Sequence, residues 1–376
     1  MYQFSSQDEQ YMQLAIELAS RGRFTTTPNP AVGCVLVRNG EIVGKGFHFK
    51  AGEPHAEVMA LRGAGEKARG ATAYVTLEPC SHYGRTPPCA LGLINAGVAK
   101  VIAAMRDPNP QVAGRGLQML KDAGIESAVG LLAEQAETLN KGFLKRMRAG
   151  VPFVQLKLAM SLDGRTAMAS GESKWITGCQ SRADVQVGRA QASAILSTGV
   201  TVEVDNPSLN VRWEDFPDDI KSEYSKENVR QPVRVILDFQ QRVQPHHKLF
   251  ETVSPVWLVS DKERDLRHFP DFCEQIIIKT TENLTALSAL MQRLGERQIN
   301  TIWVEAGANL AGALIEENLV DELIVYIAPK LLGDQARGLC HMPHLTQLKD
   351  APQWKLQSAV KIGDDLKTIY TRECND

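Results

Sequence analysis

Four residues in the first quarter of the chain have the types and spacing that hydrolytic chemistry needs. "HAEVMALRGAG" (55–65) opens on His55 and Glu57, just after the turn-forming Gly52 and Pro54. "LEPCSHYGRTPPCA" (77–90) places Cys80 and Cys89 behind an apolar strand pattern, with Pro88 set to start the next helix. Zinc takes imidazole nitrogen and thiolate sulfur in tetrahedral geometry, and a catalytic zinc keeps one position for water. His55, Cys80 and Cys89 are the expected ligands, and the metal would acidify the water in the fourth position. Glu57 is the expected proton carrier, taking a proton from that water and delivering it to a departing amine. Helix N-termini favour the thiolate form, so both helix starts suit the task. Each piece alone has a plainer reading. An acidic residue in a first helical turn is stabilised by exposed amides, a lone histidine there is polar surface, and two distant cysteines are unrelated core residues.

The elements that must position these groups alternate. Tyr11, Leu14, Ala15 and Leu18 fall on one helical face, and "TTTPNP" (25–30) stops that helix. "AVGCVLV" and "EIVGKG", joined by Asn39-Gly40, predict a β-hairpin, because that dipeptide tolerates the positive φ angles of a type I′ turn. The His55 helix follows, then a strand at 71–77, a helix from Cys89 to near Gly97, and a strand at 98–105. "GLQMLKDAG" and "AEQAETLNKGFLKRMRAG" complete a βα pattern, which implies one mixed or parallel sheet with helices on both faces. At Val151-Pro152 the character changes, and a fresh strand begins at "FVQLKLAM". The second half predicts strands near 194–198, 233–238, 256–260, 276–279, 301–305 and 322–328, then a C-terminal antiparallel hairpin about a Gly-Asp-Asp turn at one sheet edge. The polar stretch 214–232 reads as a solvent-facing excursion.

Whole-chain properties bound the answer. With 376 residues the chain suits two domains, and 43% hydrophobic with 23% charged residues is an ordinary globular balance. A net charge of −2 and 6% aromatic content offer no basic field for nucleic acid or a membrane surface. The N-terminus lacks a basic start and a long apolar core, so it does not read as a signal peptide, and no apolar run approaches a membrane span. Seven thinly spread cysteines argue against a disulfide framework, and a cytoplasmic protein is expected.

His-x-Glu followed by Pro-Cys and a second cysteine is the signature of zinc-dependent nucleobase deaminases. In that pattern two residues separate the cysteines, whereas eight do here. The longer loop, "SHYGRTPP", resembles that of the bifunctional deaminase–reductases of riboflavin biosynthesis. "TPNPAVGCV" (27–35), "GFHFKAGEPHAE" (46–57), "TLEPCSHYGRTPPC" (76–89) and "DPNPQVAGRG" (107–116) resemble that family's deaminase motifs. "LKLAMSLDGRTA" (156–167), "DNPSLNVR" (205–212) and "VEAGANLAGALI" (304–315) resemble its reductase motifs, in the family's order.

The resemblance implies an α/β chain with a cytidine-deaminase-like three-layer αβα domain (1–150) and a dihydrofolate-reductase-like α/β domain (151–376). It implies zinc and NADPH as cofactors, and a small phosphorylated substrate, a diaminopyrimidinone carrying a ribosylamino 5′-phosphate. By the same resemblance Asn29 and His48 would hold the pyrimidine, and Arg85, Asp107 and Asn109 would line the cleft. Asn29 and Asn109, each set between prolines, could instead simply form turns.

In the second half the implied reaction reduces the ribosyl C1′ to give a ribityl chain. Lys157 and Asp205 match the positions nearest that carbon. A lysine can polarise developing negative charge and an aspartate can place or shuttle a proton. Lys157 alternates with Leu156 and Leu158 and so lies on the opposite strand face, as a solvent-facing lysine also would. Arg189 and Arg212 resemble 5′-phosphate clamps, and Ser173, Thr177, Leu209 and Glu305 are further substrate positions. "VEAGANLAGALI" reads as strand, glycine turn and helix, where backbone amides can meet a pyrophosphate. Gly307, Ala308, Asn309, Leu310, Ala311, Gly312 and Ala313 are the implied cofactor segment, joined by Ala159, Trp175, Thr201 and Asp205. Two positions depart from the family: Phe239 stands where a small hydroxyl residue is common, and Ala308 where proline is.

Two other readings compete: a deaminase acting on an extruded nucleic-acid base, and a second half that is only a ligand-binding module. The first lacks the basic and aromatic contacts it needs. The second does not account for Lys157, Asp205, Arg212 and the glycine turn together. Neither a nucleic-acid nor a membrane partner is expected; a homo-oligomer is.

Overall fold

The computed structural model describes residues 2–83, 87–109, 113–279 and 285–372, in two compact units, 1–150 and 151–376. No described helix is long and apolar enough to cross a membrane.

Unit one contains α1 (Ser6–Ser20), β1 (Gly33–Arg38), β2 (Glu41–Phe47), α2 (Ala56–Ala64), β3 (Thr72–Val75), α3 (Cys89–Ala96), β4 (Lys100–Ala103), α4 (Arg115–Asp122), β5 (Glu126–Val129), α5 (Ala133–Leu139) and α6 (Lys141–Ala149). A capping box starts α1: the Asp8 amide donates to Ser5 Oγ and the Ser5 amide to the Asp8 carboxylate. The buried stripe of α1 is Met12, Ala15, Ile16 and Ala19, while Tyr11, Leu14 and Leu18 flank it half-buried. The helix is thus rotated from the face the apolar pattern suggested, and the Tyr11 hydroxyl donates to the Gly40 carbonyl at the hairpin tip. Asn39 (φ 52°) and Gly40 (φ 81°) form the two-residue turn between β1 and β2 with the predicted positive angles.

The sheet runs β2-β1-β3-β4-β5, antiparallel across its first three strands and parallel from β3 to β5. Helices α1, α5 and α6 cover one face, with Met12, Phe143 and Leu144 against Val35 and Ile102. Helices α2, α3 and α4 cover the other, with Ala60, Leu93 and Leu120 against Leu36 and Val101. The result is a three-layer αβα unit. A Cβ on Gly46 would lie 2.4 Å from the Ala56 carbonyl oxygen, so only glycine lets the start of α2 rest this close to the sheet. The segment 133–150, which reads as one helix, breaks at Asn140. There the buried carboxamide accepts from the Ala31 amide (2.8 Å) and donates to the Ala31 carbonyl (2.9 Å).

Unit two contains β6 (Phe153–Ser161), β7 (Arg165–Ala167), α7 (Cys179–Gln191), β8 (Ala194–Thr198), α8 (Gly199–Asp205), α9 (Asp218–Glu223), β9 (Val233–Leu237), β10 (Val256–Ser260), β11 (Cys273–Ile277), α10 (Ala286–Glu296), β12 (Thr301–Glu305), α11 (Ala308–Glu316), β13 (Glu322–Ala328), β14 (Arg337–Gly338), β15 (Trp354–Ile362) and β16 (Asp365–Arg372). Its main sheet runs β11-β10-β9-β8-β12-β6-β13-β16-β15, parallel through β13 and closed at one edge by the antiparallel β15–β16 hairpin. Helices α10 and α11 pack on one face around Leu156, Leu196 and Val304. On the other face lie Ile195, Trp303 and Tyr326, with Val185 of α7 and Val202 of α8. The polar stretch 214–232 is less of an excursion than its composition suggests. Phe216 and Tyr224 are buried, and Arg230 donates to the Ala190 and Ala192 carbonyls at the end of α7.

Candidate active sites

His55 is the N-cap of α2, in extended conformation, and its imidazole turns toward the loop after β3. Cys89 opens α3, and its amide donates to Cys80 Sγ at 3.3 Å. His55 Nδ1 lies 3.7 Å from Cys80 Sγ and 3.3 Å from Cys89 Sγ, and the three donor atoms fall within 4.8 Å of one another. One nitrogen and two sulfurs converging at this spacing form a zinc donor set that is one ligand short of tetrahedral, so these residues fit the metal. The Cys89 thiol beside it, and then His55, push the Cys80 thiol well below its ordinary value against the opposing effect of burial. Cys80 is therefore poised as thiolate.

Glu57, in the first turn of α2, is 3% exposed. Burial first, then the Cys80 charge, pushes its carboxyl up to about 7, in the range where a carboxyl can both take and give a proton near neutrality. His48 is also buried, which lowers its pKa and favours neutral imidazole. Its Nδ1 lies 3.2 Å from the Pro54 carbonyl, which only accepts, so Nδ1 carries the proton. Nε2 then accepts from Asn29 Nδ2 at 3.2 Å. Asn29 and His48 therefore form a hydrogen-bonded pair, and the His48 and His55 rings meet edge to face at 5.2 Å. Asp107 is 8% exposed, and burial pushes its carboxyl up to about 6. It accepts from the Asn109 amide at 2.9 Å, so these two residues share one turn. Arg85 lies outside the described residues.

In unit two the register places Glu305, last residue of β12, beside Lys157 of β6. Both point to the face covered by α7, away from Leu156 and Leu158. Arg189 of α7 grips Glu305 through Nε (2.6 Å) and Nη2 (2.8 Å) and gives Nη1 to the Asn210 carbonyl (2.9 Å). Burial raises the Glu305 pKa, but the Arg189 charge outweighs it and holds the carboxyl at about 2. Lys157 is lowered, by burial first; Glu305 opposes that shift and Arg189 adds to it.

Ser173, Trp175 and Thr177 lie in the loop before α7; Trp175 is 65% exposed, with the Arg182 guanidinium 4.6 Å from its ring centre. Thr201 and Asp205 lie on α8, where Thr198 caps the Thr201 amide and Lys174 Nζ sits 3.8 Å from Asp205 Oδ1. Leu209 is buried, whereas Arg212 pairs at the surface with Asp215. Ala159 follows Lys157 on the same strand face, opposite Tyr326. Gly307 is the N-cap of α11; Gly307 and Asn309 are exposed, Ala308 and Ala313 half-buried, and Leu310, Ala311 and Gly312 buried. Of that segment only its first three residues open to solvent at the helix start. Phe239 is exposed at the end of β9, beside Asp238, which is itself buried in an ion pair with Arg264.

Sequence reasoning missed Tyr326, whose ring centre lies 5.9 Å from Lys157 Nζ and whose hydroxyl donates to Asp184. In an apolar strand it reads as core, and only the alternation shared with Lys157 hints otherwise. It also missed Glu78 and Asn140, which bind backbone rather than any expected ligand.

The cytidine and deoxycytidylate deaminase zinc-binding region matches residues 5–105, and the RibD C-terminal domain matches 152–368. A riboflavin biosynthesis protein RibD of Haemophilus influenzae is 72% identical over 99% of this chain and 99% of its own. The chain belongs to the RibD family. The Escherichia coli RibD is 58% identical over 96% of this chain and 98% of its own. A solved structure of Acinetobacter baumannii RibD has a TM-score of 0.89 at 46% identity, covering 98% of this chain and 99% of that one. A Thermotoga maritima structure, described as a diaminohydroxyphosphoribosylaminopyrimidine deaminase/5-amino-6-(5-phosphoribosylamino)uracil reductase, has a TM-score of 0.85 at 33% identity over 98% and 99%. Family membership makes this chain a fusion of a zinc-dependent deaminase and an NADPH-dependent reductase of riboflavin biosynthesis.

Proposed function

We propose that unit one deaminates 2,5-diamino-6-(5-phosphoribosylamino)pyrimidin-4-one and that unit two reduces the ribosyl group of the resulting aminouracil to ribityl. The convergence of His55, Cys80 and Cys89 beside buried Glu57 carries this reading. When bound, zinc supplies the acidity that makes water a nucleophile near neutral pH, and NADPH supplies the hydride.

The chain's own groups do the rest. Glu57, raised toward neutrality, takes a proton at the attack and returns it to the leaving nitrogen, so that ammonia departs and a carbonyl remains. The Asn29 amide, oriented by His48, keeps its carbonyl oxygen for the pyrimidine edge. Asp107, Asn109 and Arg85 are assigned to the remainder of that cleft. In unit two, Lys157 polarises the sugar carbon–heteroatom bond as C1′ gains a hydride, and Asp205 places the compensating proton. Arg212, whose guanidinium pairs with Asp215 at the surface, is the more available phosphate partner. Arg189, whose guanidinium is engaged by Glu305 and Asn210, acts by orienting Glu305 beside Lys157. The segment from Gly307 to Ala313, with Ala159, Trp175 and Thr201, is assigned to the cofactor.

A cytoplasmic location fits the six described cysteines, all free thiols. A homo-oligomer is also proposed, and light scattering on the purified protein tests it. The functional test is incubation of the full chain with the diaminopyrimidinone, with and without NADPH, followed by product mass analysis. Without NADPH the expected product has exchanged NH for O; with NADPH it has also gained two hydrogens. Reduction with no ammonia released, or ammonia release that NADPH leaves unreduced, overturns the reading.

A further inference from the structure

Glu78, two residues before Cys80, is 3% exposed, and among the described residues its carboxylate accepts from backbone amides alone. Oε2 accepts from Asp107 (3.3 Å) and Gly114 (3.0 Å), and Oε1 accepts from Gly116 (3.0 Å) and Leu117 (3.2 Å). The amides of Gly116 and Leu117 lie in the first turn of α4, where helical geometry leaves such groups without internal partners and favours negative charge. One side chain thus ties the Asp107 amide and the start of α4 to the turn carrying Cys80. The contact is close. A Cβ on Gly116 would lie 2.0 Å from the Pro79 carbonyl oxygen, so the start of α4 rests directly on the residue between Glu78 and Cys80. The Glu78 amide also donates to the Met105 carbonyl, completing the join on the strand side.

We propose that Glu78 is a positioning residue for deamination: it fixes the Asp107–Asn109 segment against the Cys80 turn, so that substrate contacts and metal ligands keep one spacing. The proposal rests on the assignment of Asp107 and Asn109 to the substrate cleft. Its carboxylate does this because four converging N–H groups need acceptors on both oxygens. A glutamine in the same place keeps one oxygen and turns an NH₂ toward the other two donors.

The test compares Glu78→Gln, Gly116→Ala, Asn109→Ala and Asp107→Ala with wild type in the full, zinc-loaded chain. Zinc content, reduction of supplied deaminated intermediate, and KM and kcat for ammonia release are measured separately. For Glu78→Gln the expected result is stoichiometric zinc, normal reduction, KM raised about tenfold or more, and kcat within about threefold. Gly116→Ala displaces the start of α4 with Glu78 intact and should give the same split between KM and kcat. If Asn109→Ala raises KM and Glu78→Gln does not, the positioning role is wrong. Loss of zinc, or kcat falling as far as kcat/KM, overturns it too, since Glu78 would then support the metal turn or the fold. Should Glu78→Gln not accumulate as folded protein, Gly116→Ala decides alone. If Asn109→Ala and Asp107→Ala both leave KM unchanged, the substrate assignment itself fails, and the proposal falls with it.

Discussion

Replacing Glu305 with glutamine removes the carboxylate that stands between two cations. Arg189 holds it through two charged hydrogen bonds, Trp303 Nε1 donates to it at 3.0 Å, and Lys157 lies beside it in register. The Arg189 and Glu305 side chains are only 11% and 15% exposed. Taking one partner from a buried pair costs about 3–5 kcal/mol, because the survivor is left uncompensated. Glutamine oxygen still accepts from Arg189, so the lower end, about 3 kcal/mol, applies. At a urea slope of about 3 kcal/mol per molar, the midpoint of unit two should fall by about 1 M. The loss must depend on pH. Glu305 opposes the lowering of Lys157, so its removal lowers that lysine further. A lysine lowered by folding sheds its proton first in the folded chain; between the folded and unfolded values the unfolded chain holds more protons, and stability rises with pH. The variant extends this window downward, so its deficit at pH 7 should shrink by pH 9. In acid, wild type loses the same advantage as pH falls from 4.5 through about 2, where Glu305 is protonated. All five tryptophans lie in unit two, so urea unfolding followed by their emission reports this unit. A midpoint shift under about 0.3 M, or a deficit equal at pH 7 and pH 9, refutes the reasoning.

Cys80→Ser should lose tight zinc and ammonia release together while supplied intermediate is still reduced, because a neutral hydroxyl is a poor substitute for thiolate. Stoichiometric zinc in an active variant would remove Cys80 from the ligand set. Glu57→Gln should retain zinc, which atomic absorption measures, while ammonia release falls about 10²-fold or more. Survival of that rate within a few-fold would mean that another group carries the proton. Lys157→Met should lower kcat for reduction by about 10²-fold or more, with NADPH affinity little changed and deaminated intermediate accumulating. Normal reduction by this variant would end the role given to Lys157.

The elements whose order is set locally were legible in the sequence. Asn39-Gly40 encodes its own turn, and strands such as Val256–Ser260 and Thr301–Glu305 are short apolar runs with clear ends. The convergence of His55, Cys80 and Cys89 was legible because few other reasons bring those types to two helix starts and the turn between them. What escaped was set by partners distant in sequence. The break at Asn140 is invisible in a helical pattern, since its cause is Ala31, more than a hundred residues earlier. The strand at Cys273–Ile277 was expected several residues later, because alternation within a short run does not mark where pairing to β10 begins. The tie between Arg189 and Glu305 could not be read either, because two charged residues far apart carry no sign of which neighbour each will meet. It leaves Arg189 less free for a phosphate than its type suggests.

The clamp between Asn140 and Ala31 also bears on how the protein is made. The loop carrying Asn29 leaves the ribosome early, but the carboxamide that holds it follows 109 residues later. At cellular elongation rates that interval is roughly 5–20 s. During it α1, the hairpin and the His55 helix can already pack, while the Asn29 loop has no partner for its Ala31 backbone. Completion of the Asn29 loop, proposed as one side of the substrate cleft, therefore waits on the residue just before the last helix of unit one. A nascent chain stopped before Asn140 would hold all three candidate metal ligands and still lack the clamp, so metal binding can precede the ordering of the Asn29 loop during synthesis.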